Sequence, residues 1–227
     1  MRTKTILLSG VVAALSGASL MAQVYSLNAV GYINVTVPPN FSMLADQLYS
    51  VNQTTPQYIS PLLDSQLLDG NHNGVELFKY SNVNGYTIMI ATSTGWAGPA
   101  TTTTLNPGEA VFIYNPYTTN MTLTFVGQVP QGSLTNTLFQ NFNLVSSIVP
   151  QSDALDDPAG PALVPNTGDE VFLYDPVNGY EIYVSTTSGW AVGAGLPTHP
   201  TPAVGQGFFY YTAKPAGLSW TRTFSVI

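Results

Sequence analysis

Two tandem copies of one unit make up most of this sequence, and the duplication limits the possible folds more than any single motif. Gly74-Val-Glu-Leu-Phe-Lys-Tyr80 matches Gly168-Asp-Glu-Val-Phe-Leu-Tyr174, in the same order and spacing. Further matches join Gly31–Leu44 to Gly132–Val145, Asn84-Gly85-Tyr86 to Asn178-Gly179-Tyr180, Gly95-Trp96-Ala97 to Gly189-Trp190-Ala191, Pro107–Tyr114 to Val204–Tyr211, and Thr122–Phe125 to Thr221–Phe224. A duplication of this kind predicts two modules with one fold.

Turn residues divide each copy into short strands. An Asn-Gly pair between two apolar runs is a strong hairpin signal, and it occurs once per copy, at Asn84-Gly85 and Asn178-Gly179. The runs beside these turns are Val75–Ser81 with Tyr86–Ala91, and Val171–Asp175 with Tyr180–Ser185. A second hairpin is predicted from Ala110–Asn115 and Met121–Val126, with Gly207–Thr212 and Leu218–Phe224 as its counterpart.

Helical periodicity is limited to a possible single turn at Ile59–Leu68. We therefore predict an all-β chain of two tandem homologous antiparallel sandwich or barrel modules, at residues 40–130 and 131–227.

A long alternating segment, residues 23–39, precedes the first module and ends at Pro38-Pro39. One face of this predicted strand carries Tyr25, Leu27, Ala29, Gly31, Ile33, Val35 and Val37. The part before Gly31 has no counterpart in the second copy. Two alternatives follow: the strand folds back onto its own sheet, or it fills a sheet edge in the next subunit and so acts as an assembly strand.

Residues 1–22 have the layout of a secretory signal. Arg2 and Lys4 precede the apolar run Ile6–Leu20, and we place cleavage after Ala22. A membrane anchor is the alternative, but the run is shorter than the ~20 apolar residues that a spanning helix needs. We expect a protein exported to the extracellular space or cell surface of a bacterium, with no membrane span in the mature chain.

The charge balance excludes several classes of partner. After cleavage the chain keeps Lys79, Lys214 and Arg222 against twelve acidic residues, a formal charge of −9. Such a surface cannot neutralise phosphates, so we expect neither nucleic acid nor anionic membranes as partners. Only 7% of residues are charged, against about 25% in an ordinary soluble protein. A neutral surface suits self-assembly, although a soluble secreted protein with a neutral coat is the alternative.

Catalytic patterns are weak in this sequence. His72 and His199 lie in turn-rich segments without a sequence neighbour that would orient them, as a triad or a zinc site requires. Glu76 and Glu170 occupy equivalent positions in the two copies, which is typical of structural residues. We expect a protein that is not an enzyme.

One segment resembles the start of a calcium loop. Asp69, Asn71 and Asn73 alternate before Gly74, with Glu76 nearby, but Tyr80 stands where such a loop needs its closing glutamate. A polar turn leading into a strand is the favoured alternative, and no other cofactor is expected.

Four repeated aromatic residues are candidates for stacking on sugar rings: Tyr86, Trp96, Tyr180 and Trp190. The alternative for the two tryptophans, which we favour, is that each fills the core of its module, because tryptophan is highly buried on average.

Several motifs together carry a resemblance to a known family: NAVGYINVTVP, NFSML or NFNLV, the NG-Y hairpin, GW, PGEAVFIY or GQGFFYY, and LTFVGQV. With these motifs the sequence resembles a family of exported bacterial two-module β-repeat surface proteins. The resemblance covers nearly the whole mature chain and implies no catalytic residues. We expect an exported structural or adhesive protein, with a filament subunit assembled from copies of itself by N-terminal strand addition as one form. A secreted glycan-binding tandem module is the alternative.

Overall fold

The computed structural model describes residues 29–50, 56–192 and 198–226. In these ranges the chain is all-β with one helix, and the element order of the first module recurs in the second except for its third strand and its helix. The first module holds β1 (Val30–Val37), β2 (Asn40–Leu44), β3 (Tyr49–Ser50), α1 (Ile59–Leu67), β4 (Glu76–Ser81), β5 (Gly85–Thr92), β6 (Gly95–Ala97), β7 (Val111–Asn115) and β8 (Met121–Gln128). The second holds β9 (Gly132–Leu138), β10 (Asn141–Val145), β11 (Glu170–Asp175), β12 (Gly179–Thr186), β13 (Gly189–Val192), β14 (Phe208–Thr212) and β15 (Leu218–Phe224).

Each module is a sandwich of a large and a small antiparallel sheet, which confirms the predicted fold class; none of the described sheets closes into a barrel. The large sheets have the strand orders β2-β7-β4-β5-β6 and β10-β14-β11-β12-β13, and the small ones β1-β8-β3 and β15-β9. The first core lies between its two sheets and is covered by α1, a helix longer than the predicted single turn. Its residues include Ile33, Val37, Leu63, Leu77, Met89, Val111, Ile113 and Phe125. The second core includes Leu155, Val171, Tyr183, Trp190, Phe208, Tyr210 and Trp220.

The Asn-Gly hairpins are confirmed in both modules. Gly85 and Gly179 have φ angles of 72° and 80°, a left-handed conformation that glycine adopts without strain. Next to the closing pairs Ser81–Gly85 and Asp175–Gly179, Tyr80 pairs with Tyr86, and Tyr174 pairs with Tyr180.

The second predicted hairpin is wrong, because β7 and β8 lie in different sheets, as do β14 and β15. The side chain of Asn115 fixes the corner between β7 and β8. Its Nδ2 donates to Val37 O at 3.1 Å and to Thr119 O at 2.9 Å, and its Oδ1 accepts from Tyr117 N at 3.0 Å. These bonds turn the chain out of the large sheet and into the small one.

Residues 30–37 fold back onto their own module, the first of the two alternatives for the leading segment. β1 pairs with β8 along its whole length, with Val37 opposite Met121. Ile33 and Val37 are buried while Tyr32 is 66% exposed, as the alternation predicted. Tyr25 and Leu27 lie outside the described residues.

The counterpart of β1 is β9, and its pairing with β15 corrects one match between the copies. Leu138 lies opposite Leu218, as Val37 lies opposite Met121. Thr124 is therefore equivalent to Thr221, two positions away from the match that joined Thr122–Phe125 to Thr221–Phe224. A slip of two residues leaves every side chain on the same face, so alternation could not reveal it.

A pair of reciprocal hydrogen bonds relates the modules by a local two-fold axis. Ala45 N donates to Gly205 O at 2.9 Å, and the equivalent Ser146 N donates to Gly108 O at 3.0 Å. A third apolar cluster fills this junction: Met43, Ala45, Ala110, Phe112, Leu144 and Phe209. The two cores are thus separate, and the large sheets meet through their outward faces.

Candidate functional site

The outward face of each large sheet is lined with aromatic rings. Because successive strand residues alternate sides, Leu77 enters the core while Phe78 points outward, and β11 repeats this with Val171 and Phe172. The outward residues of the first module include Phe41, Met43, Phe78, Tyr80, Tyr86, Ile88, Phe112 and Tyr114. Those of the second include Phe142, Leu144, Phe172, Tyr174, Tyr180, Ile182, Phe209 and Tyr211.

These outward positions are almost unchanged between the two copies, whereas most of the inward ones have diverged. Of the eight outward pairs given above, only Met43 and Leu144 differ. Four inward core pairs of the same sheets differ: Leu77 with Val171, Met89 with Tyr183, Val111 with Phe208, and Ile113 with Tyr210, while the inward tryptophans Trp96 and Trp190 are retained. Four of the retained aromatic residues, Phe41, Tyr86, Phe142 and Tyr180, are exposed, and retention at exposed positions points to binding, whereas packing alone tolerates exchange of one apolar residue for another.

The two aromatic faces meet at the local two-fold axis and form one aromatic cleft. Its floor is the pair Phe112 and Phe209, whose ring centroids lie 5.9 Å apart. Tyr80 contacts Phe209 across the junction at 5.3 Å, and Tyr174 contacts Phe112 at 5.8 Å. Each wall of the cleft is therefore built from both modules.

Two aromatic pockets related by the local axis open into this cleft. The first has a volume of about 370 Å³ and is lined by Phe41, Phe78, Tyr86, Phe112, Tyr174 and Tyr180. The second, of about 350 Å³, is lined by Tyr80, Tyr86, Phe142, Phe172, Tyr180, Ile182 and Phe209. Tyr86 and Tyr180 line both pockets and remain 48% and 46% exposed. Clefts of this size and lining, placed between modules, are the usual form of ligand sites.

The two shared tyrosines keep their hydroxyl protons over a wide pH range. Partial burial raises the pKa of Tyr180 to about 12, and neighbouring Tyr86 and Tyr174 add to the shift. Partial burial also raises the pKa of Tyr86. Both phenols are thus hydrogen-bond donors and acceptors at neutral pH.

A polar pocket of about 250 Å³ adjoins one end of the cleft and shares Tyr80 and Phe142 with the second aromatic pocket. Its other lining residues include Lys79, Asn82, Glu109, Asn136, Thr137 and Asn143. Lys79 Nζ lies 3.1 Å from Glu109 Oε2 as an ion pair that lacks hydrogen-bond geometry. Burial lowers the pKa of Lys79, and Glu109 opposes this shift.

The charged end has no equivalent across the axis. Leu173 stands in place of Lys79, and Gln206 in place of Glu109. The cleft therefore combines stacking surfaces with hydrogen-bonding groups, and only one end of it carries charge.

The structure brings two of the four predicted stacking residues together in the cleft and places the other two elsewhere. Trp190 is 2% exposed and lies in the second core, so neither face of its ring is open to a ligand. Trp96 packs against the first core, and its Nε1 donates to Asp64 Oδ1 at 2.7 Å. The stacking platform therefore consists of Tyr86 and Tyr180 without the tryptophans.

The residues of the calcium-loop match form a hydrogen-bonded turn. Asp69 Oδ1 accepts from Asn71 N at 2.9 Å and lies 2.9 Å from His72 Nδ1, while Asn73 Nδ2 donates to Gly70 O at 3.4 Å. Glu76 is the first residue of β4 and pairs with Tyr114 and Ile90 in the sheet. Across the described ranges, no group of three or more His, Cys, Asp or Glu side chains is placed to hold a metal ion.

The second histidine also pairs with a carboxylate, since His199 Nδ1 lies 2.8 Å from Asp156 Oδ1 on the surface of the second module. Neither histidine lines the aromatic pockets.

Comparison with known proteins gave no match: no family model, curated protein or solved structure is significantly similar to this chain. In the part of the chain that the structure describes, no helix has the length and apolar character to cross a membrane.

Proposed function

We propose that this protein is an exported adhesive protein that binds a neutral glycan in its aromatic cleft. The proposal rests chiefly on one observation: Tyr86 and Tyr180, from equivalent positions of the two modules, line both aromatic pockets and keep about half of their surface open. A sugar ring has flat apolar faces and a rim of hydroxyls. Tyrosine offers a matching flat ring and a polar hydroxyl.

The polar pocket supports the same class of ligand. Its amide, hydroxyl and charged side chains lie beside the second aromatic pocket and would bond the hydroxyls of a sugar that stacks there. The net charge of −9 for the mature chain disfavours acidic polysaccharides. We therefore expect uncharged glycans to bind better than uronic or sulfated ones.

Binding to an array of neutral and acidic glycans tests this proposal. We expect Tyr86→Ala and Tyr180→Ala each to weaken binding by about tenfold or more, the loss of about 1.4 kcal/mol that one stacking contact supplies. Val83→Ala and Val177→Ala, at the exposed tips of the same two hairpins and outside both pockets, are the matched controls. Absence of glycan binding by the folded wild-type protein would refute the proposal, as would equal binding by the tyrosine and valine variants.

A further inference from the structure

Strand β8 of the first module is covered on the edge that faces away from β1. Gln66 of α1 accepts from Thr124 N at 2.7 Å and donates to Thr124 O at 2.9 Å, which imitates the pairing of a neighbouring strand. Farther along the same edge, Tyr49 and Ser50 of β3 pair with Gln128 and Gly127. The backbone of this edge is therefore bonded from within the module.

The equivalent edge of β15 in the second module is open. The small sheet there contains only β15 and β9, and the described residues place neither a helix nor a third strand beside β15. In the first module, β3 approaches β8 closely at Gly127. The equivalent residue of β15 is Phe224. The device that covers β8 thus has no counterpart on β15.

The open edge presents unpaired backbone groups. Thr221 is equivalent to Thr124 and lies opposite Thr135. Thr124 directs its N–H and C=O away from β1, so the equivalent Thr221 directs its own N–H and C=O away from β9. Because backbone groups alternate in direction along a strand, Ser219 and Thr223 do the same. All three residues are exposed, and within the described ranges no hydrogen bond reaches these groups on the open side. Such an edge is a template for an added strand.

We propose that the open edge of β15 binds the segment Gln23–Asn28 of a second copy of this chain as an added β-strand. In the second copy, the described part of the β1–β8 ladder begins at the bond of 2.8 Å from Val129 N to Ala29 O, and Gln23–Asn28 directly precedes that bond in the sequence.

The composition and length of the segment fit the open edge. It has no charged side chain, and Tyr25 and Leu27 alternate with Ser26 and Asn28, so pairing buries no charged side chain, and the α-amino group of Gln23 lies at the end of the added strand. Six extended residues span about 20 Å, close to the length of the seven-residue β15. Main-chain bonds would supply affinity, and the alternating side chains would set the register.

The positions of donor and acceptor determine the form of the assembly. The donor segment precedes the first module, whereas the acceptor edge belongs to the second, so the contact joins head to tail and is not self-complementary. Repeated contacts of this kind build an open filament unless the rotation closes a ring.

Disulfide trapping tests this proposal directly, because the chain contains no cysteine. The full chain, expressed with its export signal, would carry Ser26→Cys together with Thr221→Cys. The matched control pairs Ser26→Cys with Thr124→Cys on the covered edge of β8. We expect a ladder of disulfide-linked oligomers from the first pair on non-reducing gels, reversed by reduction, and monomers from the control.

Other outcomes would overturn the proposal. A disulfide within one monomer would mean that the segment pairs with its own chain, and dimers of the single variant Thr221→Cys would mean that two β15 edges pair with each other. Failure of the folded Ser26→Cys/Thr221→Cys protein to form oligomers would exclude this contact. Size-exclusion chromatography of a chain lacking residues 23–28 gives a second measurement, for which we expect monomers.

Discussion

Trp96 and Asp64 are joined by a 2.7 Å hydrogen bond from the indole Nε1 to Oδ1, which ties β6 to α1 in the first module. The equivalent Trp190 is buried in the second module, and its Nε1 has no hydrogen-bond partner among the described residues. The same repeated tryptophan therefore has a polar role in one module and a purely apolar one in the other.

This difference predicts unequal effects of removing the indole N–H. Trp96→Phe leaves Asp64 without its indole donor, a loss of about 1.5–3 kcal/mol for a bond to a charged group, whereas Trp190→Phe removes an unpaired donor. Both substitutions also remove ring volume, which costs most at the buried Trp190, so a double-mutant cycle of Trp96→Phe with Asp64→Ala isolates the bond. We expect a coupling of about 1.5–3 kcal/mol in urea unfolding, and a coupling near zero would contradict this prediction.

Asp46 predicts a pH dependence of stability. Burial raises its pKa to about 7, although bonds from Leu48 N (2.9 Å) and Gln57 Nε2 (3.3 Å) oppose the shift. The folded state thus holds the proton more tightly than the unfolded state, whose pKa is near 4. The contribution of Asp46 to stability is greatest below pH 4 and decreases until the folded carboxyl ionises near pH 7, a change of about 4 kcal/mol.

Thermal melts between pH 4 and 8 check this prediction. We expect the melting temperature of Asp46→Asn to vary much less than that of the wild type over this range, and to exceed it at pH 8. Identical slopes in both proteins would show that Asp46 does not cause the effect.

The ion pair at the polar end of the cleft predicts an asymmetric response to substitution. Glu109→Ala leaves the half-buried Lys79 without its partner and removes the bonds that Glu109 accepts from Thr104 Oγ1 and Asn106 N, so it should destabilise the protein by about 2 kcal/mol or more. The double variant Lys79→Leu with Glu109→Gln installs the residues of the second module and should be close to neutral. The free energies of unfolding of both variants, measured in urea, test this prediction. A double variant as unstable as Glu109→Ala would contradict it.

The sequence predicted those features that depend on local chemistry. Asn84-Gly85 and Asn178-Gly179 specify tight turns by themselves, and both hairpins formed as expected. The placement of β7 and β8 in different sheets could not be predicted this way, because the corner between them depends on a bond from Asn115 to the distant Val37 carbonyl.

Most of the cleft was also missed, and the reason is general. Each of its phenylalanines resembles a core residue when taken alone, and both faces of the large sheets are apolar. A signal was nevertheless present: Phe41, Phe78 and Phe112 recur unchanged as Phe142, Phe172 and Phe209, while most inward positions differ. A comparison of the two copies, made separately for the outward and the inward face of each large sheet, would have identified the site.

The stoichiometry of glycan binding tests the central claim most directly. Because each aromatic pocket uses residues of both modules and the two pockets share Tyr86 and Tyr180, a neutral glycan that spans the cleft should bind once per chain. Isothermal titration of the wild type and of the two tyrosine variants measures this. The account predicts one site per chain, weakened by either substitution. Two independent sites, each lost with only one of the tyrosines, would contradict it.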